Sequence, residues 1–301
     1  MLMRVRLLCI PCTLRAAYDM ARKATDDEEV QRKIVLEVLR WLGEEGEKLM
    51  NVTPAMLHTY TFKTVQRISG NNDPFARLKK ISNSLAMKVM PILKREIDNR
   101  EGIEALKFAA LGAVCGNSID FEVEGYHVPI EEIEKALLNC LREGLTINET
   151  ERLINALTKS KRILYLLDNA GEIVFDKIFI EAIVRNYPVK VIAAVKSGPI
   201  LNDATIEDAL EIGLQEVAEV ITTGNNYIGL NMDESSEDFR RELREADVII
   251  AKGQGYYESI SEIEHILGKS VAYMLRAKCP VIAESLNVLR GSNIIKFVGK
   301  I

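Results

Sequence analysis

The stretch from Lys161 to Glu172 most constrains the fold. Its short apolar run, Ile163 to Leu167, has the length and composition of a buried strand. The run stops at Asp168 and Asn169, a glycine follows at 171, and a helical pattern extends from Ile173 to Ile183. That order is the front half of a βαβ unit. In open α/β sheets, ligands collect outside the carboxyl ends of the strands, which is where Asp168 and Asn169 fall. A carboxylate directly after an apolar run needs a partner, because burying it unpaired is costly. Asn169 and Glu172 also have capping-box spacing, so Asn169 can start the helix and still face a site.

The same pattern recurs down the chain. Apolar runs at Val189–Val195, Val217–Ile221, Val248–Ala251, Val271–Leu275, Val281–Ala283 and Ile294–Val298 alternate with amphipathic segments. Such alternation predicts a mainly parallel sheet covered by helices. Before residue 159 the periodicity is helical instead. Val30, Ile34, Val35, Val38, Leu39 and Leu42 share one face, and Thr53-Pro54 and Asp73-Pro74 are helix starts. Pro91 is expected to kink or interrupt its helix. Further helices are predicted from Gly102 to Val114, from Pro129 to Glu143, and from Thr146. The expected organisation is an all-helical subdomain over 1–158, packed on the active edge of an α/β subdomain over 159–301.

A formal net charge of −5 without a long basic run argues against a nucleic-acid surface. No apolar run approaches the roughly 18 residues of a membrane span, and the N-terminus lacks the features of a signal peptide. A cytoplasmic protein is the expectation. Cys9, Cys12, Cys115, Cys140 and Cys279 are odd in number, and the chain has no need of a disulfide framework. Cys9-Ile10-Pro11-Cys12 lacks the second pair of a zinc site, so a redox pair or plain buried thiols are expected.

Three loops at strand ends hold the residues that can carry chemistry. The first has Asp168 and Asn169. The second runs Lys196-Ser197-Gly198-Pro199-Ile200-Leu201-Asn202-Asp203, and the third begins Lys252-Gly253-Gln254-Gly255. Asp168 and Asp203 lie about one βαβ unit apart, so they can converge. Thr205 and Asp208 form a capping box of their own, which leaves Asp203 free. Asp, Asn and Asp make an all-oxygen set suited to a hard cation such as magnesium or manganese, and magnesium commonly pairs with substrate phosphate. Lys196, Ser197 and Gly198 have phosphate-cradling character, as do Lys252 and Gly253; the alternative for each loop is a tight turn with an exposed lysine. Dinucleotide, P-loop and nucleophile-elbow motifs are incomplete, and His58, His127 and His265 are scattered.

Taken together, Cys9-x-x-Cys12, Asp73-Pro74-Phe75 with Lys79, Gly116-Asn117-x-x-Asp120, Asp168-Asn169-Ala170-Gly171-Glu172, Asn202-Asp203, Thr223-Gly224 and Lys252-Gly253 resemble the metal-dependent damage-control phosphatase family. Relatives of that family have also been proposed as acidic-residue methyltransferases. The resemblance implies an all-α subdomain on a three-layer α/β subdomain with a mainly parallel, Rossmann-like sheet. It implies a divalent metal (magnesium, manganese, cobalt or nickel) on Asp168, Asn169 and Asp203. It implies hydrolysis of small phosphometabolites, including sugar phosphates, with Asn117, Asp120 and Lys252 in the same pocket. Glu172, Lys196, Ser197, Gly198 and Gly253 join the substrate-facing set, and Asp168, Asp203 and Lys252 the catalytic one.

The expected activity is therefore a metal-dependent phosphomonoester hydrolase with a small phosphorylated partner. Asp168 serves as ligand only or also as nucleophile. A haloacid-dehalogenase-type mechanism would need a second Asp at 170, where this chain has Ala170. The alternatives are a methyltransferase with a nucleotide-like donor and a non-enzymatic sensor of phosphometabolites.

Overall fold

The structure is a computed structural model that describes residues 3–117 and 130–299. Six helices come first: α1 (Cys9–Ala24), α2 (Glu28–Glu45), α3 (Pro54–Ser69), α4 (Ala76–Asp98), α5 (Gly102–Gly116) and α6 (Ile130–Glu143). Then follow β1 (Ile147–Asn148), α7 (Thr150–Leu157), β2 (Arg162–Leu166), α8 (Glu172–Asn186), β3 (Lys190–Val195), α9 (Ile206–Glu211) and β4 (Glu219–Thr222). The chain ends with α10 (Glu237–Glu245), β5 (Val248–Lys252), α11 (Gly253–Ile260), α12 (Glu264–Leu267), β6 (Ser270–Arg276), α13 (Pro280–Ser285) and β7 (Asn293–Val298).

The seven strands form one sheet in the order β1-β7-β6-β5-β2-β3-β4. Neighbours from β6 through β4 pair in parallel, whereas β7 runs antiparallel to β6 and carries β1 parallel to itself. After β2 the chain moves outward through β3 and β4, then crosses back to place β5 on the other side of β2. The carboxyl end of β2 is thus a topological switch point, where a crevice opens between diverging connections.

Both faces of the sheet are covered, which explains why its strands are continuous apolar runs. Ile163, Tyr165, Ala193, Ile250 and Met274 share one core with residues of α4, α5, α6, α7 and α8. Leu164, Leu166, Ala194, Ile249 and Tyr273 share the other with residues of α1, α2, α3, α10, α11 and α13. The early helices therefore contribute to both outer layers. The sheet itself recruits β1 from the otherwise helical segment before residue 158.

Several local expectations are corrected. Val281–Ala283 belongs to α13, with Pro280 in the first turn; three apolar residues are too few for periodicity to separate strand from helix. Pro91 does not end α4, which continues to Asp98. Buried Val89 and Leu93 on either side hold the helix against the core despite the missing backbone donor. Asn169 does not cap α8, whose N-cap position is Gly171. Residues Thr146–Glu149 lead into β1 before α7 begins at Thr150.

Cys115 and Cys140 form a disulfide across a sequence separation of 25. It ties the end of α5 to α6, a role not anticipated for these cysteines. Closing a loop of that size stabilises a folded chain by about 3 kcal/mol in the chain-entropy picture. Cys140→Ser should therefore lower the thermal midpoint by several degrees under non-reducing conditions. The wild-type protein should shift similarly on reduction; an unchanged midpoint in both experiments would show that the bond does not clamp these helices.

Candidate functional site

Asp168 follows β2, Asp203 follows β3, and Lys252 ends β5, so three adjacent parallel strands deliver them to one edge. Backbone hydrogen bonds lock the first two loops together: Ala204 N–H donates to Asp168 O at 2.8 Å and Ala170 N–H to Asn202 O at 2.9 Å. Asn169 and Asp203 form an isolated antiparallel bridge. A cavity of about 860 Å³ opens above this edge. Its wall includes Asn117, Asp168, Asn169, Glu172 and Asp203, with α1 and α3 closing the far side through Cys12 and His58.

Asn117, at the end of α5, organises the acidic wall. Its Nδ2 donates to Glu172 Oε2 at 2.6 Å and to Asp168 Oδ2 at 3.2 Å, while its Oδ1 accepts from Arg276 N–H at 3.3 Å. Asn169 Nδ2 donates to Asp168 Oδ2 at 2.9 Å and Glu172 Oε2 at 3.1 Å. That use of the amide nitrogen leaves the Asn169 carbonyl oxygen without a donor among the described residues. Gly253 presses against Asp168 from below. Its φ is +74°, and a Cβ there would lie 1.7 Å from Asp168 Oδ2, so the position requires glycine.

Behind this wall lies a buried ion cluster. Lys252 Nζ donates to Glu172 Oε1 at 2.6 Å, Asp176 Oδ1 at 2.7 Å and Ala113 O at 2.9 Å. Tyr165 OH donates to the same Asp176 oxygen at 2.7 Å. Lys196 is equally buried; its Nζ reaches Gly229 O at 2.7 Å, Tyr256 OH at 3.1 Å and Asp203 Oδ2 at 3.8 Å. Burial alone would push Lys252 down, but Asp176 and Glu172 outweigh it and hold the ammonium above its ordinary range. Lys252 is therefore charged.

The charges do not balance. Asp168, Glu172, Asp176 and Asp203 carry four carboxylates, against the two ammonium groups of Lys196 and Lys252. Burial, then Glu172 and Asp203, push the Asp168 carboxyl well above the usual carboxylate range. Burial pushes Asp203 up to about 6, against the pull of Lys196. Four acidic groups face two ammonium groups, and Asp168 and Asp203 are held above the usual carboxylate range, so a hard divalent cation on these oxygens would stabilise their ionised forms. The residues that would hold such an ion are Asp168, Asn169 through its unengaged side-chain oxygen, and Asp203. Among the described residues, no three His, Cys, Asp or Glu side chains are placed to hold a metal ion together.

Other expected site residues are distributed differently. Asn117, Asp168, Asn169, Glu172 and Asp203 share the cavity. Lys252 and Lys196 are fully buried in ion pairs behind it, so neither ammonium presents itself to a ligand phosphate. The physical reason is the surrounding carboxylates, whose uncompensated burial would cost more than a solvated lysine gains. Ser197 and Gly198 lie outside the cavity wall, and Gly198 packs by Asn226. Asp120 lies outside the described residues. Lys79 braces α4 instead of touching the site, pairing with Asp73 at 2.9 Å and Asp208 at 3.7 Å.

Sequence reasoning missed the basic part of the wall. Arg276, Lys278 and Arg290 line the cavity from the β6–β7 segment, with Glu258 of α11 and Cys9, Cys12 and Cys279 nearby. Among the described residues, none pairs with the Lys278 ammonium. The sequence signal was Arg276-Ala277-Lys278 at the end of a strand run, overlooked because β6 follows the glycine-rich loop.

Removing Lys252 should act through stability. Lys252→Met would leave Glu172 and Asp176 buried without a counter-charge, a change of about 3–5 kcal/mol for a broken buried pair. Denaturant unfolding should show that loss in the absence of any ligand. Wild-type stability combined with lost ligand affinity would restore a direct ligand-binding role to the lysine.

Comparison with known proteins agrees with this geometry. A damage-control phosphatase ARMT1-like domain model matches residues 6–294. The chain is 37% identical over 298 residues to a damage-control phosphatase of Archaeoglobus fulgidus, covering 98% of this chain and 100% of that protein. It is 34% identical over 290 residues to damage-control phosphatase PH1575 of Pyrococcus horikoshii, covering 96% of each. The crystal structure of the same Pyrococcus horikoshii protein, described as a DUF89 family protein, superimposes with a TM-score of 0.87 at 33% identity, covering 97% of this chain and 98% of the other. The chain belongs to the damage-control phosphatase ARMT1-like family.

Proposed function

We propose that this protein is a metal-dependent phosphomonoester hydrolase acting on small phosphorylated metabolites, sugar phosphates among them. The observation that carries the reading is the surplus of acidic groups over ammonium groups at the β2 switch point, in a cavity that Arg276, Lys278 and Arg290 also line. The names of the archaeal relatives support the reaction class.

Asp168, Asn169 and Asp203 would hold one magnesium, manganese, cobalt or nickel ion. When bound, that ion supplies positive charge for the phosphate oxygens. Asn117 and Asn169 fix the Asp168 carboxylate, each donating from Nδ2 to Asp168 and to Glu172. Lys252 holds Glu172 from behind, acting as a positioning residue. Lys278 supplies an exposed cation to the substrate phosphate, with Arg276 two residues before it already steadied by Glu143 and Asn293. A pocket with acidic and basic walls suits a dianionic ester bound through metal and ammonium together.

The test begins with chelator-treated protein and a panel of sugar phosphates, with each metal added separately. Free phosphate should appear only with metal. Asp168→Ala and Asp203→Ala should each abolish that release while keeping a cooperative unfolding transition. Lys278→Met should raise KM about tenfold, the scale of one lost charge-assisted contact. Full turnover in either Asp variant would overturn the ligand assignment. Methyl transfer from a nucleotide-like donor without phosphate release would replace the reading altogether.

A further inference from the structure

Glu258 is a buried carboxyl in the cavity wall that the reading above leaves unused. It lies on α11, the helix whose first residue, Gly253, touches Asp168. Five residues of helix correspond to an axial rise of about 7–8 Å, roughly the width of a small phosphate ester. One oxygen, Oε2, accepts from Ala55 N–H at 2.8 Å, which satisfies the start of α3. Among the described residues, none donates to its other oxygen. Pro54, Ala55, Ile228 and Val281 also line this cavity.

We infer that Glu258 is the general acid that protonates the departing alcohol during phosphate ester hydrolysis. This rests on the hydrolase reading proposed above. The oxygen of an incoming water forms the new bond to phosphorus. The ester P–O bond breaks, and its electron pair stays on the alcohol oxygen. That oxygen takes the proton from Glu258, leaving a carboxylate, and the proton given up by the water restores the carboxyl through solvent. An alkoxide is a poor leaving group unless it is protonated as it departs, so a proton donor beside it lowers the barrier.

The surroundings keep the carboxyl protonated at neutral pH. Burial raises it to about 8, against the single Ala55 N–H that favours the anion. The titratable groups on neighbouring elements are Cys9 and Cys12 on α1, His58 on α3 and Cys279 before α13. Burial raises both α1 thiols and lowers His58, so at neutral pH these groups place no charge beside Glu258. The cavity's cationic residues are Arg276, Lys278 and Arg290, of which Arg276 pairs with Glu143 and Lys278 is exposed to solvent. The acid is competent below about pH 8 and is lost as pH rises through that value.

The experiment compares two esters on metal-loaded full-length protein: β-glycerophosphate, whose alcohol is a poor leaving group, and para-nitrophenyl phosphate, whose phenolate leaves without a proton. Glu258→Gln keeps an acceptor for Ala55 N–H but has no acid. Its kcat on β-glycerophosphate should fall on the order of a hundredfold. The loss on the aryl ester should be at least about ten times smaller, because general-acid demand scales with leaving-group basicity. In the wild type, the alkyl ester alone should show a falling rate above about pH 8, a readout that does not depend on the variant folding. Equal losses on both esters, no loss on the alkyl ester, or identical pH profiles for the two substrates would overturn the assignment while leaving the hydrolase reading intact. Wild-type protein inert towards both esters with every metal would overturn that reading and this inference together.

Discussion

The Lys252 ammonium is the interaction on which the site depends. It joins β5 to Glu172 and Asp176 on α8 and to a carbonyl of α5. Those three elements carry or support Asn117, Asp168 and Glu172, so one buried cation fixes the acidic wall from behind. Such a cluster is worth little as net stability, because desolvation offsets most of its attraction. Its value is geometric. Three donors on one ammonium leave Glu172 only one arrangement, and Asn117 and Asn169 then align on its second oxygen.

A second consequence is electrical. Lys196 and Lys252 offer two ammonium groups to the four acidic groups gathered around the carboxyl ends of β2 and β3 and the first turns of α8. A protein whose only task was to be stable would have placed apolar groups here, since buried unpaired charge is expensive. The remaining imbalance is concentrated on the side that faces the cavity, where Asp168 is partly open. Destabilisation is thus stored where a ligand can relieve it, which is the expected signature of a functional site. The topology makes this possible, because the switch point after β2 leaves a crevice that the helices α1 and α3 roof over.

Much of the scaffold was legible along the chain. The apolar runs of about five residues that became β2 to β7 stood out because both sheet faces are buried, which fills the strands with continuous apolar residues between the amphipathic helices. Thr205 and Asp208 formed the capping box their spacing suggested, since that interaction is entirely local. Failures were of the opposite kind. Val281–Ala283 was too short for its periodicity to mean anything, and Asn169 turned from a capping role to Asp168 and Glu172 because three-dimensional partners outcompeted a local one. The disulfide pairs residues brought together only by the packing of α5 against α6.

The sequence by itself determined the layered α/β architecture and the collection of Asp168, Asn169 and Asp203 at strand ends, because period and polarity act over a few residues. It could not determine which lysines face a ligand. Lys252 and Lys278 have the same side chain, and each stands just beyond an apolar strand or at its end. Only the tertiary structure decided that the first is enclosed by Glu172, Asp176 and Ala113 while the second stands open at the cavity. The deciding quantity is the burial of neighbouring carboxylates from α8, and burial is a property of the packed molecule that no local stretch contains.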